Sequence, residues 1–259
     1  MMAIFFALIS AVFIGMNAIV IKRTLGKANA FTVAAVLTFM GMVFFWILSV
    51  FTIRFDAELW NPKAIIPFAV AGVFAPGLVR WIFFTSIDRV GTAVSSSMLA
   101  TIPAFAVIIA ILFLGEKLSL AMAVGLMMIV GGIILFEREV SSNHKMHNVR
   151  RKDLFLPLSA AIVGAIAINF RKLGLMAVNS PVLGAVVGFT AASIFYLVIM
   201  AVSPARRKAF SFDFADLPSF VAGALSLSLG WLCIFYALSH GQVVLVAPLS
   251  SLHPLVVLF

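Results

Sequence analysis

The stretch SAVFIGMNAIVIKR at residues 10–23 decides the fold, because its pattern recurs as SAAIVGAIAINFRK at residues 159–172. Both stretches begin with Ser-Ala, end with two basic residues and carry a glycine and an alanine at the same offsets. Later in the chain, a tryptophan, a glycine and a proline also recur in the same order. They are Trp81, Gly91 and Pro103 in the first copy and Trp231, Gly241 and Pro254 in the second. The pattern predicts an internal duplication.

The composition indicates a membrane protein. Hydrophobic residues make up 64% of the chain and charged residues 10%, and the mean hydropathy is +1.20. A spanning helix needs about 20 apolar residues. The apolar runs are continuous rather than alternating, which favours helices over a barrel. Nine spans are predicted: 2–21, 31–52, 64–86, 92–114, 119–136, 154–173, 181–202, 217–239 and 242–259.

The two copies are expected to have opposite orientations in the membrane. About five predicted spans separate them, and an odd number of crossings turns the second copy upside down. Inverted repeats are typical of secondary transporters, whose substrate site lies between the halves near the midplane. The sequence therefore predicts an all-α integral membrane protein with a first repeat at 1–137, a polar basic linker at 138–153 and a second repeat at 154–259.

The chain reaches Phe259 inside an apolar run. If the second repeat mirrors the first, a tenth span is expected, preceded by a counterpart of the Gly115-Glu116-Lys117 turn. The expectation is thus a ten-span architecture, two inverted five-helix repeats, with the tenth span missing from this chain. A natural nine-span protein is the alternative.

Basic residues in the loops predict the topology, because they collect on the cytoplasmic side. Twelve fall in loops 1, 3, 5 and 7: Lys22, Arg23, Lys27, Arg89, Arg138, Lys145, Arg150, Arg151, Lys152, Arg206, Arg207 and Lys208. Five fall in loops 2, 4 and 6: Arg54, Lys63, Lys117, Arg171 and Lys172. The bias places the N-terminus outside. The net charge of +9 is then interpreted as loop charge beside anionic lipid rather than as a nucleic-acid surface.

All nine acidic residues fall in loops or at span ends, so the membrane interior is expected to hold no carboxylate. Two other ionisable residues, Arg80 and His253, are predicted to lie deep within spans. Intramembrane ionisable residues are functional candidates. Arg80 could bind a carboxylate or phosphate, or could serve structure by pairing with a backbone carbonyl. His253 could face a cavity as a hydrogen-bond donor or proton carrier, or could pack between helices.

Serines precede a proline at corresponding places in the two copies. Ser96 and Ser97 precede Pro103, and Ser251 precedes Pro254. Their hydroxyl groups could donate hydrogen bonds to backbone carbonyls that proline frees, or they could face one central cavity. Three aromatic residues besides Trp81 could form an apolar wall: Phe84, Trp231 and Tyr236. Weaker polar candidates are Asn17 and Asn169, and Glu116-Lys117 is expected to cap the turn between spans 4 and 5.

Several chemistries lack their signatures. The chain has one cysteine, Cys233, and no third ligand near His144 and His147, so neither a disulfide nor a metal site is predicted. Nucleophile-elbow, Walker and zinc-protease motifs are absent. We therefore expect no catalytic residues, no cofactor and no enzyme activity.

The sequence GTAVSSSMLATIPAF at residues 91–105, running on to LGEKLS at 114–119, resembles the fourth-span signature of EamA-like transporters in the drug/metabolite transporter superfamily. Residues 247–255, APLSSLHPL, resemble its second copy. The resemblance implies two inverted five-helix repeats around a central cavity, alternating access, and export or uptake of small metabolites such as amino acids. It also implies a multi-pass protein of the inner membrane.

The resulting prediction is a transporter of amino-acid-like or other carboxylate-bearing solutes, working in efflux, with the lipid bilayer and the small metabolite as partners. A homodimer is left open. The predicted substrate contacts are Arg80, Trp81, Ser96, Ser97, Ser251 and His253. Two alternatives are a truncated fragment that does not transport and an intramembrane enzyme acting on lipid.

Overall fold

The computed structural model describes residues 1–24, 29–54, 57–141 and 151–256. Their α-helices are α1 Met2–Thr24, α2 Ala30–Thr52, α3 Pro62–Gly72, α4 Val79–Leu99, α5 Ile102–Leu114, α6 Leu120–Ser141, α7 Phe155–Ala177, α8 Pro181–Val202, α9 Pro204–Ala209, α10 Leu217–His240, α11 Val243–Ser250 and α12 His253–Val256. The described part of the chain contains no β-strand.

Seven helical stretches in the described residues are long and apolar enough to cross a membrane. They coincide with seven of the nine predicted spans. The predicted span 119–136 corresponds to α6, whose apolar part Leu120–Leu135 is shorter. The predicted span 242–259 corresponds to α11 and α12, and its last residues, 257–259, lie outside the described residues.

Local sequence signals explain where several helices begin. The side-chain oxygens of Asn29 and Asn61 accept hydrogen bonds from the backbone N–H of Phe31 and Lys63, each at 3.0 Å. Ser180 accepts from Leu183 N at the start of α8. Such N-cap bonds satisfy N–H groups that have no partner inside the helix.

The predicted third loop is a sharp bend within α4. Helical hydrogen bonding runs from Val79 to Leu99. Nevertheless, Ser86 Oγ and Ser95 Oγ lie 2.8 Å apart, whereas nine residues of straight helix would span about 13.5 Å. The chain therefore reverses between these serines, and its two legs belong to the third and fourth predicted spans.

Helix packing links the two halves in reciprocal pairs. α1 packs along α10, α11 and α12, while α7 packs along α3, α4 and α5. α2 lies against α8, and α5 against α11. The glycines at the same offset in the two similar stretches, Gly15 and Gly164, also pack against helices. A Cβ on Gly15 would meet the α12 backbone at His253 O, and one on Gly164 would meet the Ile102 side chain of α5. Small residues allow this close approach.

The loop assignment of two basic residues is wrong. Arg171 and Lys172 lie inside α7, which continues to Ala177, and not in loop 6. The helix continues because Leu173, Leu175 and Met176 extend its apolar pattern beyond the basic pair. Three basic residues of the original five then remain on that side, which increases the bias used to orient the chain. Orientation itself stays a prediction, because much of loop 1 and most of the linker 138–153 lie outside the described residues.

Candidate functional site

A break in the third span lies where both halves meet. Between α3 and α4, the chain forms wide turns at residues 73–78, with Ala75 extended at φ −146° and ψ 118° and followed by Pro76. Proline cannot continue regular helical hydrogen bonding, so carbonyl oxygens are freed. At membrane depth such groups need protein partners.

Side chains from α7 and α8 bind three carbonyl oxygens of this segment. Arg171 Nη2 donates to the oxygen of Ala75. Tyr196 Oη lies 3.3 Å from the oxygen of Pro76 and 3.1 Å from that of Gly77. The break is thus held from α7 and α8, and both side chains are buried, Arg171 at 2% exposure and Tyr196 at 0%.

Arg171 lies over aromatic rings of α10. Its guanidinium carbon is 4.2 Å from the centroid of Trp231 and 5.8 Å from that of Phe235. Guanidinium groups stack favourably on indole faces. The expectation that Arg80 and His253 are the deep ionisable residues is therefore incomplete. The missed signal was the apolar sequence after the Arg-Lys pair, which places the pair within the helix.

Arg171 and Trp231 line a small cavity of about 10 Å³, together with residues of α3 and α8. Its walls combine apolar rings with backbone: Phe68, Gly72, Ala75, Pro76, Gly188, Phe189 and Phe235. Gly72 and Gly188 bring α3 and α8 together here, because a Cβ on Gly72 would stand 2.0 Å from Gly188 O. The two halves are in backbone contact beside the cavity.

Arg80 and Trp81 lie at the start of α4 and face α8. Arg80 is partly buried, its Nη1 is buried without a described hydrogen-bond partner, and Tyr196 is close enough to interact with it electrostatically. The Trp81 ring centroid is 6.5 Å from that of Phe195 and 5.5 Å from the guanidinium carbon of Arg206. These two predicted site residues therefore share one neighbourhood.

Ser251 and His253 occupy a second neighbourhood, at the turn between α11 and α12 beside α1. Ser251 Oγ donates to Ala247 O at 2.8 Å, and His253 Nδ1 lies 3.4 Å from Ser250 O. These contacts fit the structural alternative, in which the polar groups satisfy backbone near proline.

The predicted Ser96 and Ser97 are half-buried on the second leg of α4. Their neighbour Ser95 is the serine that binds Ser86 across the bend. Among the other wall candidates, Tyr236 stacks on Phe6 with centroids 5.3 Å apart, and the side chain of Phe84 lies outside the described residues.

Two asparagines join helices. Asn17 Nδ2 donates to Gly223 O of α10 at 2.6 Å, and Asn169 Nδ2 donates to Ala106 O of α5 at 3.1 Å. Both bonds connect side chain to backbone across the interface of the halves, so both residues have a structural role.

The buried Glu116 caps a helix of the other half rather than its own turn. Its carboxylate oxygens accept from Val243 N and Val244 N, each at 2.9 Å. The N-cap residue Gln242 makes no side-chain cap bond. Lys172 Nζ donates to Leu238 O at 2.8 Å and Gly241 O at 2.7 Å. An acid at the N-terminus of α11 and a base at the C-terminus of α10 match the helix dipoles.

Comparison with known proteins agrees with this architecture. The model of the EamA-like transporter family matches residues 1–138. The chain belongs to the EamA-like transporter family. Membership of this family and the seven apolar helices of the described residues identify a multi-pass membrane protein of a transporter family, which points away from an enzyme.

One curated relative and one solved structure extend the comparison. An uncharacterized transporter, YvbV of Bacillus subtilis strain 168, is 29% identical over 129 residues, covering 50% of this chain and 42% of the relative. The match thus spans less than half of the relative's length. A crystal structure with 14% identity superposes with a TM-score of 0.79 over 98% of this chain and 85% of that one. At this identity the likeness concerns the fold alone.

Proposed function

We propose that this chain moves small organic metabolites across the membrane by alternating access, through a path between two inverted repeats. The observation that carries the proposal is the broken segment at residues 73–78, whose carbonyls are bound by Arg171 and Tyr196 of the other half. Discontinuous helices at the interface of repeats are typical of transporter substrate sites.

The reciprocal packing supports the inverted-repeat arrangement. In an inverted repeat, a pseudo-two-fold axis would relate the contact of α1 with α10 to the contact of α7 with α3 and α4. It would also relate the neighbours of Gly15 to those of Gly164. Rocking of one repeat against the other would expose the segment between them to each side in turn.

The proposed solutes carry a carboxylate, and efflux is the proposed direction. Support comes from Arg80, a permanent cation within the membrane-spanning region whose buried Nη1 lacks a described partner. Arginine suits carboxylate recognition because its planar donors match the two carboxylate oxygens. Trp81 would contact the apolar part of the solute, and Ser96, Ser97, Ser251 and His253 remain proposed contacts. The inner membrane is the proposed location, and self-association as a dimer is a further proposal.

The test is transport of a panel of amino acids, hydroxy acids and their amides in cells that lack related exporters. Intracellular accumulation is compared between the parent protein, Arg80→Ala and Arg89→Ala. Arg89 is the matched control, since it lies on the same helix but is 58% exposed and pairs with Asp153 at 3.7 Å. In cells with the parent protein, we expect carboxylates to accumulate less than their amides. This difference should disappear in Arg80→Ala and remain in Arg89→Ala.

Two results would contradict the proposal. One is equal accumulation of every solute with and without the protein, when the protein is present in the membrane. The other is equal handling of a carboxylate and its amide, which would remove the assigned substrate class. Unchanged transport in Arg80→Ala would remove Arg80 from the path.

A further inference from the structure

Arg171 is a buried cation that no described acidic side chain neutralises. It lies in α7 at 2% exposure. Its described hydrogen-bond and ring partners are Ala75 O, Trp231 and Phe235, which are neutral. The buried carboxylate of Glu116 is bound to the N-terminus of α11. A permanent charge at membrane depth without a counter-ion is costly and marks a functional site.

Two buried donors without a described partner belong to residues that line one cavity. Arg171 Nη1 and Trp231 Nε1 are both buried and have no described hydrogen-bond partner. Both residues line the cavity of about 10 Å³ between α3, α7, α8 and α10. Buried donors are usually bonded, so a pair left without partners at one place indicates an acceptor that binds there.

We propose that Arg171 and Trp231 form a second binding position for the carboxylate of the transported solute, in addition to the contact proposed at Arg80, a site that rests on the proposed function. One carboxylate oxygen accepts from Arg171 Nη1 and the other from Trp231 Nε1. The single positive charge matches a monocarboxylate better than a phosphate dianion, which needs more donors. The Phe68, Phe189 and Phe235 rings that wall the cavity suit a solute whose remainder is apolar.

The geometry also connects binding to movement. A cavity of about 10 Å³ has room for about one water, so a carboxylate enters only when its walls separate. The wall that can yield is the broken segment at Ala75 and Pro76, because the carboxylate oxygen that accepts from Arg171 Nη1 can also accept from Nη2, in place of the neutral Ala75 oxygen. Solute binding would then release this segment from α7.

The alternative is that Arg171 only holds the Ala75 carbonyl. Two conservative variants separate the roles. Arg171→Lys keeps the charge and a donor for Ala75 but has one nitrogen, so it loses the second donor nitrogen. Trp231→Phe keeps an aromatic ring under the guanidinium and removes the N–H without a described partner, together with part of the indole ring. Trp60→Phe, at an exposed tryptophan of the short 3₁₀ helix Ala57–Trp60 and outside the α-helices, is the matched control.

The experiment is thermal unfolding of the purified protein in detergent, titrated with phenylacetate, its uncharged counterpart phenylacetamide, or inorganic phosphate. We expect phenylacetate to raise the unfolding temperature of the parent and of Trp60→Phe, and phenylacetamide to leave it unchanged. The concentration of half-maximal stabilisation should rise about 10- to 100-fold in Trp231→Phe and Arg171→Lys, the range expected for one hydrogen bond to a charged group.

The site is overturned if phenylacetate does not stabilise the parent, if phenylacetamide stabilises it equally, or if the two variants respond like the parent. Stronger stabilisation by phosphate would overturn the monocarboxylate assignment. Transport separates this site from the proposed function. If phenylacetate binds but no solute is transported, the transport proposal is refuted and the site is retained. If carboxylate transport is unchanged in both variants, the site is refuted and the transport proposal is retained.

Discussion

Replacing Glu116 by glutamine should destabilise the start of α11, in the opposite half of the molecule. The carboxylate accepts from Val243 N and Val244 N, each at 2.9 Å. Glutamine keeps one acceptor oxygen and turns an amide N–H toward the second backbone N–H, so one bond and the negative charge are lost.

The expected magnitude follows from these two losses. A hydrogen bond to a charged group contributes about 1.5–3 kcal/mol, and an anion at a helix N-terminus adds about 0.3–1 kcal/mol. The free energy of unfolding should therefore fall by about 2–4 kcal/mol. For a protein of this size, that corresponds to a decrease in Tm of about 4–16 °C.

The assay uses the single cysteine of the chain. Cys233 is partly buried in α10, so a thiol-reactive fluorophore added during heating reports its exposure. Lys117→Gln is the matched control, because Lys117 adjoins Glu116 and is exposed. Hydrogen exchange of the peptide covering residues 241–250 gives a local readout and should increase in Glu116→Gln.

A Tm for Glu116→Gln within about 2 °C of the Lys117→Gln value would contradict a capping role for the carboxylate, since less than about 1 kcal/mol would then depend on it. Unchanged exchange at 241–250 together with a lowered Tm would also contradict it. In that case Glu116 would stabilise its own turn and not the start of α11.

Two further variants test the contacts between the halves. Lys172→Gln should lower Tm, because it weakens the bonds to Leu238 O and Gly241 O. The double variant with Glu116→Gln should lose less stability than the sum of the two single losses, since both groups hold one turn. Gly72→Ala should abolish the folded protein in size-exclusion chromatography, because its Cβ would stand 2.0 Å from Gly188 O. Gly125→Ala, where nothing lies within 4 Å, should elute like the parent.

The helices were predictable from sequence because each span carries a continuous apolar run and several begin at a cap. Asn29 and Asn61 stand one residue before α2 and α3 and bind the new helix ends. A loop between the predicted spans 64–86 and 92–114 was also expected, and the bend in α4 lies there. The close approach of the two legs of α4 could not be predicted, because it depends on the hydrogen bond between Ser86 and Ser95 across the bend.

The contacts at the centre could not be read from sequence. Arg171 looked like a loop residue because two basic residues usually mark the end of a span, and only the later apolar residues indicate otherwise. Tyr196 gave no sign that it would bind carbonyls 119 and 120 positions away. Such partners are set by how helices pack, and a hydropathy pattern carries no information about which helix faces which.

The turn between α10 and α11 has consequences for how the chain is made. Both groups that hold it, Glu116 and Lys172, precede it in the chain and are synthesised first. Chains mature from the N-terminus during synthesis. When Gly241 and Val243 leave the ribosome, their partners Glu116 and Lys172 have already been synthesised. The first half and α7 thus act as a template on which the later turn closes, and a lesion at Glu116 would first appear as a late assembly defect.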